Sequence, residues 1–112
     1  MRFEWDEEKN RRNLAKHGIR FETAALAFED PHALTQRDPF SESEQRWITL
    51  GTIETVTVLF IVHTSFEHEE EEVVRIISAR TATPRERKQY EEAQQGTERR
   101  HRKARRHERR RH

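Results

Sequence analysis

The chain has 112 residues, which is enough for one domain with a modest core and too few for two. Charged residues make up 38% of it and hydrophobic residues only 31%, so a core can form only where apolar residues cluster. They cluster in residues 48–62 and 73–79, which argues against disorder of the whole chain. Cysteine is absent, which excludes a disulfide framework, thiolate chemistry and cysteine-based zinc sites.

The net charge of +1 conceals a strong asymmetry along the chain. Residues 97–112 contain nine Lys or Arg and two Glu, a net charge of +7, so the remaining residues sum to −6. This segment has low complexity and almost no apolar residue, and we expect it to be disordered on its own. The sequence therefore predicts a domain over residues 1–96 and a basic tail over 97–112, which is either a nucleic-acid-binding arm or a merely solvated tail.

Neither a membrane anchor nor a secretion signal is visible. The longest apolar run, residues 58–62, is too short to span a bilayer, and no signal peptide opens the chain. We therefore expect a cytoplasmic protein that has no membrane partner.

A short strand and two helices are predicted for the N-terminal part. The strand covers Met1–Trp5, Asp6 caps a helix over about Glu7–Lys16, and Gly18 ends that helix in the left-handed conformation. A second helix, ending before Pro31, is indicated by apolar residues spaced as on one helical face: Phe21, Ala24, Ala25 and Phe28.

The rest of the chain predicts four strands and a final helix. Ala33–Asp38 is a possible strand, while Arg46–Gly51 and Thr55–Thr64 form a hairpin whose second strand is apolar on both faces and therefore central. An exposed acidic turn over residues 65–72 follows. Glu72–Arg80 then pairs back antiparallel, and Pro84–Gln95 is a helix. The predicted fold is an α+β domain of order β-α-α-β-β-β-β-α with an antiparallel sheet.

The stretch from Val73 to Tyr90 runs from a strand into a helix and carries four arginines, Arg75, Arg80, Arg85 and Arg87. Thr83 and Glu86 have the spacing of a capping box at the start of the helix. Because Arg75 and Arg80 are five residues apart, they fall on opposite faces of a regular strand. Both can serve one site only if a bulge or the end of the strand redirects one of them.

Two separated motifs resemble the signature of the BrnT toxin family. Residues 5–21 match the pattern W-D-x-x-K-x-x-x-N-x-x-K-H-G-x-x-F, and residues 75–90 match R-I-I-S-A-R-x-A-x-x-x-E-R-x-x-Y. The resemblance extends over about residues 1–92 and stops before the basic tail. It implies a ribonuclease from a two-component toxin–antitoxin pair, with a fold like that of the RelE toxins.

Several expectations about function follow from this resemblance. It implies an endoribonuclease that cleaves RNA without metal or cofactor and is neutralised by a cognate BrnA-like DNA-binding antitoxin. The two chains would form a hetero-oligomer that contacts operator DNA. Two alternatives remain open, a non-catalytic nucleic-acid-binding module and a corepressor partner of a DNA-binding antitoxin. A pure binder would leave RNA intact even when the protein is in excess.

Arginines are the first candidates for catalysis. RNA cleavage without a metal needs a base, an acid and cations that stabilise the charge of the phosphorane, and the guanidinium fork suits the cationic role. Arg75 and Arg80 are predicted to supply it. The alternatives are an ion pair of Arg75 with Glu44 or Glu72, and a role of Arg80 in anchoring the next helix. Arg46 matches an arginine of the family pattern; its alternative is an edge-strand charge.

His63 is expected to end the long central strand, where an imidazole could transfer a proton near neutral pH, stack against a base or play a structural role. Asn13 and His17 belong to the first motif and are interpreted as ties between the first helix and the sheet. No metal site is expected, because the histidines of the tail are scattered. The predicted RNA-binding residues are basic: Arg85, Arg87, Arg99, Arg100, Arg102 and Lys103.

Overall fold

Five strands and three helices form the part of the chain that the structure, a computed structural model, describes, namely residues 1–42 and 45–95. The strands are β1 (Arg2–Glu4), β2 (Leu34–Arg37), β3 (Trp47–Ile53), β4 (Thr57–His68) and β5 (Glu71–Thr81). The helices are α1 (Glu7–His17), α2 (Phe21–Leu26), which continues into a 3-10 turn at Ala27–Glu29, and α3 (residues 84–95). This order confirms the predicted one. In the described ranges no helix is long and apolar enough to cross a membrane.

The sheet is mixed, with the strand order β1-β5-β4-β3-β2. All neighbours are antiparallel except β1 and β5, which run parallel with Phe3 opposite Val74. The prediction of an antiparallel sheet is therefore wrong for its first strand. Hairpins force antiparallel pairing on β3, β4 and β5, whereas β1 is connected to its neighbour only through the rest of the domain. No local signal sets its direction.

Helix ends follow the predicted local chemistry. The Asp6 carboxylate accepts hydrogen bonds from the backbone of Glu8 and Lys9, and Gly18 ends α1 at a φ of 72°. Helix α2 has no side-chain cap of its own, because Arg20 precedes it. Instead Asn10 of α1 accepts a hydrogen bond from the backbone amide of Phe21 at 2.8 Å. The Asn10 side chain thus connects α1 to the start of α2.

The main core lies between the sheet and the α1–α2 pair, and we call this side of the sheet the helix face. Its buried residues include Phe21, Ala24, Leu59, Ile61, Val74 and Ile76. At Gly51 a Cβ atom would lie 2.5 Å from the carbonyl oxygen of Ala27, so only glycine permits this approach of the 3-10 turn to the sheet.

The opposite side of the sheet is the open face, and α3 covers only part of it. Tyr90 of α3 packs there with Leu50 and Val58 in a second, smaller cluster. Apolar burial on both sides of β4 confirms its predicted central position. The uncovered remainder of the open face is available to ligands.

Strand β4 is longer than predicted. It continues to His68, so His63 lies within the strand and not at its end. The turn into β5 consists of only Glu69 and Glu70, both with positive φ, and the predicted acidic turn over residues 65–72 is therefore mostly strand. The β3–β4 hairpin is confirmed, with its turn at residues 54–56, later in the chain than predicted.

Candidate active site

A β-bulge brings Arg75 and Arg80 to the same face of the sheet. Arg75 lies opposite Thr64 and Arg80 opposite Phe60, and the register shifts between them so that Ile77 has no partner on β4. Thr64 and Phe60 are an even number of residues apart and so share a face of β4. The extra residue on β5 restores the alternation for the second arginine. Both guanidinium groups therefore belong to the open face.

Arg80 is held by two contacts. Its Nη1 and Nη2 atoms donate to the two carboxylate oxygens of Glu86 at 2.7 and 3.0 Å, and its guanidinium lies 3.9 Å from the centre of the Phe60 ring. The hydrogen bonds with Arg80 lower the pKa of Glu86 and raise that of Arg80. Glu86 also accepts from the backbone amide of Thr83, completing the predicted capping box. The guanidinium is thus fixed at the start of α3, which shows the anchoring role.

Arg75 is held more loosely. Its Nη1 atom lies 3.1 Å from a carboxylate oxygen of Glu4 on β1, and the two side chains are 44% and 36% exposed. An ion pair this exposed contributes about 0–1 kcal/mol to stability. Of the partners predicted for it, Glu72 instead accepts a hydrogen bond from Ser65, and Glu44 lies outside the described residues. An anionic ligand can therefore replace Glu4 at low cost.

Next to Arg80 the open face carries a groove of about 560 Å³. Its lining is largely apolar and includes Leu34, Phe40, Ile48, Phe60 and Val62. Phe40 is 89% exposed. Such a surface, bordered by one fixed cation, suits the flat and partly apolar bases of a single-stranded nucleic acid.

Arg46 is half-buried and immediately precedes β3. Its carbonyl oxygen accepts from the backbone amide of Asp38 at 2.9 Å, which fixes the start of the strand. Trp47, the next residue, pairs with His63 on the helix face, so the alternation of the strand directs Arg46 towards the open face.

His63 lies on the helix face, away from the arginines. Only 4% of it is exposed, its Nε2 atom is 2.7 Å from the hydroxyl of Thr49, and the Phe28 ring packs edge-on at 5.0 Å. Burial lowers the pKa of His63, and the nearby backbone of Thr64 and the carboxylate of Glu72 offset this only in part. The imidazole is therefore neutral at pH 7. The structure does not bring His63 together with Arg75 and Arg80.

The predicted RNA-binding residues divide into two groups. Arg85 is exposed on α3, and Arg87 on the same helix pairs with Glu91 at 3.2 Å. The other four, Arg99, Arg100, Arg102 and Lys103, lie outside the described residues. Within residues 1–42 and 45–95, no group of three or more His, Asp or Glu side chains is placed to hold a metal ion.

One half-buried polar junction was not predicted. Asp30 accepts hydrogen bonds from the amide and hydroxyl of Thr52, both at 2.9 Å, and from the hydroxyl of Tyr90 at 2.5 Å. Burial alone would raise the pKa of Asp30, but these hydrogen bonds hold it below its usual value. The junction ties α3 to β3. Its only signal in the sequence is Tyr90, the last residue of the second motif.

Comparison with known proteins decides the family. The model of the family described as ribonuclease toxin, BrnT, of type II toxin–antitoxin systems matches residues 5–86. This chain belongs to the BrnT family. The crystal structure of the Brucella abortus ribonuclease toxin BrnT is similar, with 28% identity and a TM-score of 0.55, over 74% of this chain and 97% of that one. No curated protein matches the chain.

Family membership gives the general activity. A BrnT toxin is a ribonuclease of a type II toxin–antitoxin pair, so this chain is an endoribonuclease toxin with RNA as its substrate and an antitoxin as its partner. The matched residues include Arg46, His63, Arg75 and Arg80, but not Arg87 or the basic tail.

Proposed function

We propose that this BrnT toxin cleaves RNA on its open face without a metal ion, with Arg75 and Arg80 as the cations that bind phosphate and stabilise the transition state. The observation that carries this proposal is the β-bulge at Ile77, because it directs both arginines to one face. A bulge that redirects a side chain is typical of active-site strands. The bulge leaves Ile77 unpaired in the middle of the ten pairs that join β4 and β5.

The distance between Arg75 and Arg80 indicates that the two arginines have different roles. Their partners on β4, Thr64 and Phe60, are four residues apart, which is about 13 Å along a strand. At that separation the two guanidinium groups bind different phosphates of one RNA strand. Arg80 is oriented in advance by Glu86 and Phe60, so it stabilises developing charge without reorganising. Arg46, at the start of β3, is proposed as the third cation.

Both arginines already have a carboxylate partner, and we infer that these carboxylates mark the positions of phosphate groups. Glu4 and Glu86 each present oxygen atoms to a guanidinium, as a phosphate would. RNA would displace the exposed Glu4 readily. At Arg80 the phosphate would use the donors that point away from Glu86, or replace it.

Cleavage assays on purified variants test this proposal. Arg75→Ala and Arg80→Ala are each expected to reduce the cleavage rate of a defined RNA by about 100- to 1,000-fold, the cost of removing one cationic donor that stabilises the transition state. Lysine at either position should restore little, because it lacks the fork. Excess EDTA should leave the wild-type rate unchanged.

Arg12→Ala is the matched control, because Arg12 is an exposed, ion-paired arginine on α1, away from the open face. Its rate should equal that of the wild type. Wild-type rates in both Arg75→Ala and Arg80→Ala would remove the catalytic role of these residues. RNA that stays intact with excess wild-type toxin would favour the alternative of a binding module.

For the basic tail, residues 97–112, we propose a nucleic-acid-binding arm appended to a domain over residues 1–96. Its charge of +7 supports non-specific binding to phosphate through counterion release, together with Arg85 and Arg87 of α3. Deleting residues 97–112 should weaken RNA binding and flatten its salt dependence without changing the melting temperature. Identical salt dependence in the full-length and truncated proteins would show that the tail does not touch the phosphates.

We further propose a RelE-like arrangement and a BrnA-like DNA-binding antitoxin that joins this toxin in a cytoplasmic hetero-oligomer on operator DNA. Membership in a type II toxin family supports the partnership. Gel-shift assays with the operator region should show DNA binding by the complex and not by the toxin domain alone. Binding by the antitoxin that does not change when the toxin is added would exclude a corepressor role.

A further inference from the structure

A second cavity, of about 400 Å³, lies on the helix face of the sheet, opposite the arginines. Phe28 and Trp47 supply aromatic walls, and Val74 lines it from β5. Its volume lies within the range of about 300–1,000 Å³ that small-ligand sites occupy. The combination of aromatic walls and a few polar groups is typical of such sites.

The polar groups that line this cavity distinguish it from the other grooves of the described domain. Elsewhere in the described residues the buried side-chain polar atoms have hydrogen-bond partners, and polar side chains pair with one another, as Asp30 does with Tyr90 and Arg80 with Glu86. Here the Nδ1 atom of His63 is buried and makes no hydrogen bond of good geometry within the described residues. An unpaired polar atom in a nearly fully buried side chain is rare in proteins and calls for an explanation.

The remaining polar groups are arranged in two short chains. Hydroxyls of Thr35 and Thr49 lie 2.8 Å apart, and Thr49 contacts the Nε2 atom of His63 at 2.7 Å. On the other side, the Glu72 carboxylate accepts from Ser65 at 2.9 Å and keeps further lone pairs for a ligand. The cavity thus offers a hydroxyl and a carboxylate next to an indole ring, with His63 in its wall.

We infer that this cavity binds one unpaired nucleobase of the RNA substrate, with guanine preferred. Proteins recognise single-stranded RNA by stacking aromatic side chains on its unpaired bases and by forming hydrogen bonds with the edges of those bases. A carboxylate selects a base edge that carries N–H donors, and guanine presents two neighbouring donors, at N1 and N2. The inference rests on the proposed function, since it assigns a base subsite to the same RNA whose phosphates the open face binds.

Next to the cavity, part of β4 has no strand on the β3 side, and this open edge of the sheet lies between the helix face and the open face. Strand β3 begins at Trp47, opposite His63, so the part of β4 from Thr64 to His68 pairs only with β5 among the described strands. Val74, which lines the cavity, is followed directly by Arg75 on the opposite face. An RNA strand that crosses this edge can therefore place a base on one face and a phosphate on the other.

Charge near the cavity favours a base over a phosphate. The β4–β5 hairpin carries five exposed glutamates, at positions 67 and 69–72, of which Glu72 lines the cavity. These carboxylates repel phosphate, so the appropriate probe is an uncharged nucleoside and not a nucleotide.

Tryptophan fluorescence provides the test. The chain has two tryptophans, and Trp5→Phe leaves Trp47 as the sole reporter while keeping an aromatic ring against Phe21. Guanosine is expected to quench Trp47 saturably, with at least tenfold weaker binding of adenosine and uridine. Glu72→Gln should reduce guanosine affinity at least tenfold. Glu70→Gln is the matched control, because it removes a charge from the same hairpin but does not line the cavity.

Each outcome decides the inference. Quenching that does not saturate, or equal affinity for all nucleosides, overturns it, as does an equal loss in Glu70→Gln. In Arg75→Ala, guanosine should still quench Trp47 although RNA cleavage is lost. The two measurements therefore test the base subsite and the catalytic arginines separately. Mapping of the cleavage products should show that Glu72→Gln loses the preference for the position of guanine.

Discussion

The side-chain amide of Asn13 pairs with the backbone of Ala79 as a neighbouring strand would. Its Oδ1 atom accepts from the amide of Ala79 at 3.0 Å, and its Nδ2 atom donates to the carbonyl at 2.8 Å. Strand β1 pairs only with Val73–Arg75, so this side chain continues the sheet edge where the strand has ended. Asn13 also donates to the carbonyl of Ile19 at 2.8 Å, and the predicted tie between α1 and the sheet is confirmed.

Asn13→Ala is expected to lower the free energy of unfolding by about 3 kcal/mol. The substitution leaves buried backbone groups of Ala79 and Ile19 unpaired, at a cost of about 1–3 kcal/mol for each lost partner. Urea unfolding followed by circular dichroism measures the change. Arg11→Ala, at an exposed position of the same helix, should be nearly neutral. A loss below about 0.5 kcal/mol in Asn13→Ala would mean that water replaces the amide.

Glu86→Gln is expected to tighten the binding of RNA. The substitution removes the anion that competes with phosphate for the Nη atoms of Arg80. A 2′-deoxy oligonucleotide that cannot be cleaved should bind several-fold more tightly, while the melting temperature falls because the tie to α3 is weaker. Glu91→Gln, which breaks the pair with Arg87, serves as the control. Unchanged affinity in Glu86→Gln would show that Arg80 does not leave its carboxylate partner.

Asn-Gly in place of Glu69-Glu70 is expected to stabilise the fold by about 1–2 kcal/mol. Both residues have positive φ, 51° and 65°, which disfavours side chains with a Cβ atom and suits Asn and Gly. Thermal unfolding of Glu69→Asn/Glu70→Gly measures the gain. The double variant Glu69→Gln/Glu70→Gln removes the charge repulsion but keeps the backbone conformation. An equal gain in that variant would assign the effect to charge and not to φ.

His63→Phe is expected to flatten the pH dependence of stability. Because burial lowers the pKa of His63, the unfolded chain takes up a proton below its ordinary value of 6.5 that the folded chain excludes. The free energy of unfolding of the wild type therefore falls as the pH drops through 6.5 towards the lower, folded pKa, and phenylalanine removes this loss.

Urea titrations at pH 7.5 and 5.5 measure the difference between His63→Phe and the wild type. His68→Gln is the control, since the side chain of His68 is 56% exposed. If the wild type and His63→Phe lose equal stability between the two pH values, His63 is not the group that titrates.

Short-range sequence patterns predicted the ends of the helices reliably. Asp6, Gly18 and the pair of Thr83 with Glu86 each fix a helix end within a few residues, and the structure confirms all of them. The order of the elements followed from these ends and from the apolar runs between them. Such features depend on contacts between near neighbours in the chain, so spacing alone reveals them.

Pairings between distant residues could not be predicted in the same way. The parallel contact of β1 with β5 joins residues about seventy positions apart, and no turn connects them. The bulge at Ile77 depends on the register of two long strands, so the sequence left open whether Arg75 and Arg80 share a face. The prediction that His63 ends its strand is wrong because the polar sequence after Thr64 resembles a loop. Pairing with β5 keeps that segment of β4 extended up to His68.

The parallel pairing of β1 with β5 also determines how late in synthesis the sheet can be completed. The first strand is synthesised early, yet its partner is added only after about two thirds of the chain, and contacts this distant form slowly. Glu4 and Arg75 meet only when that pairing closes. Until β5 has been synthesised, a nascent chain therefore lacks both Arg75 and Arg80 and cannot form this edge of the sheet.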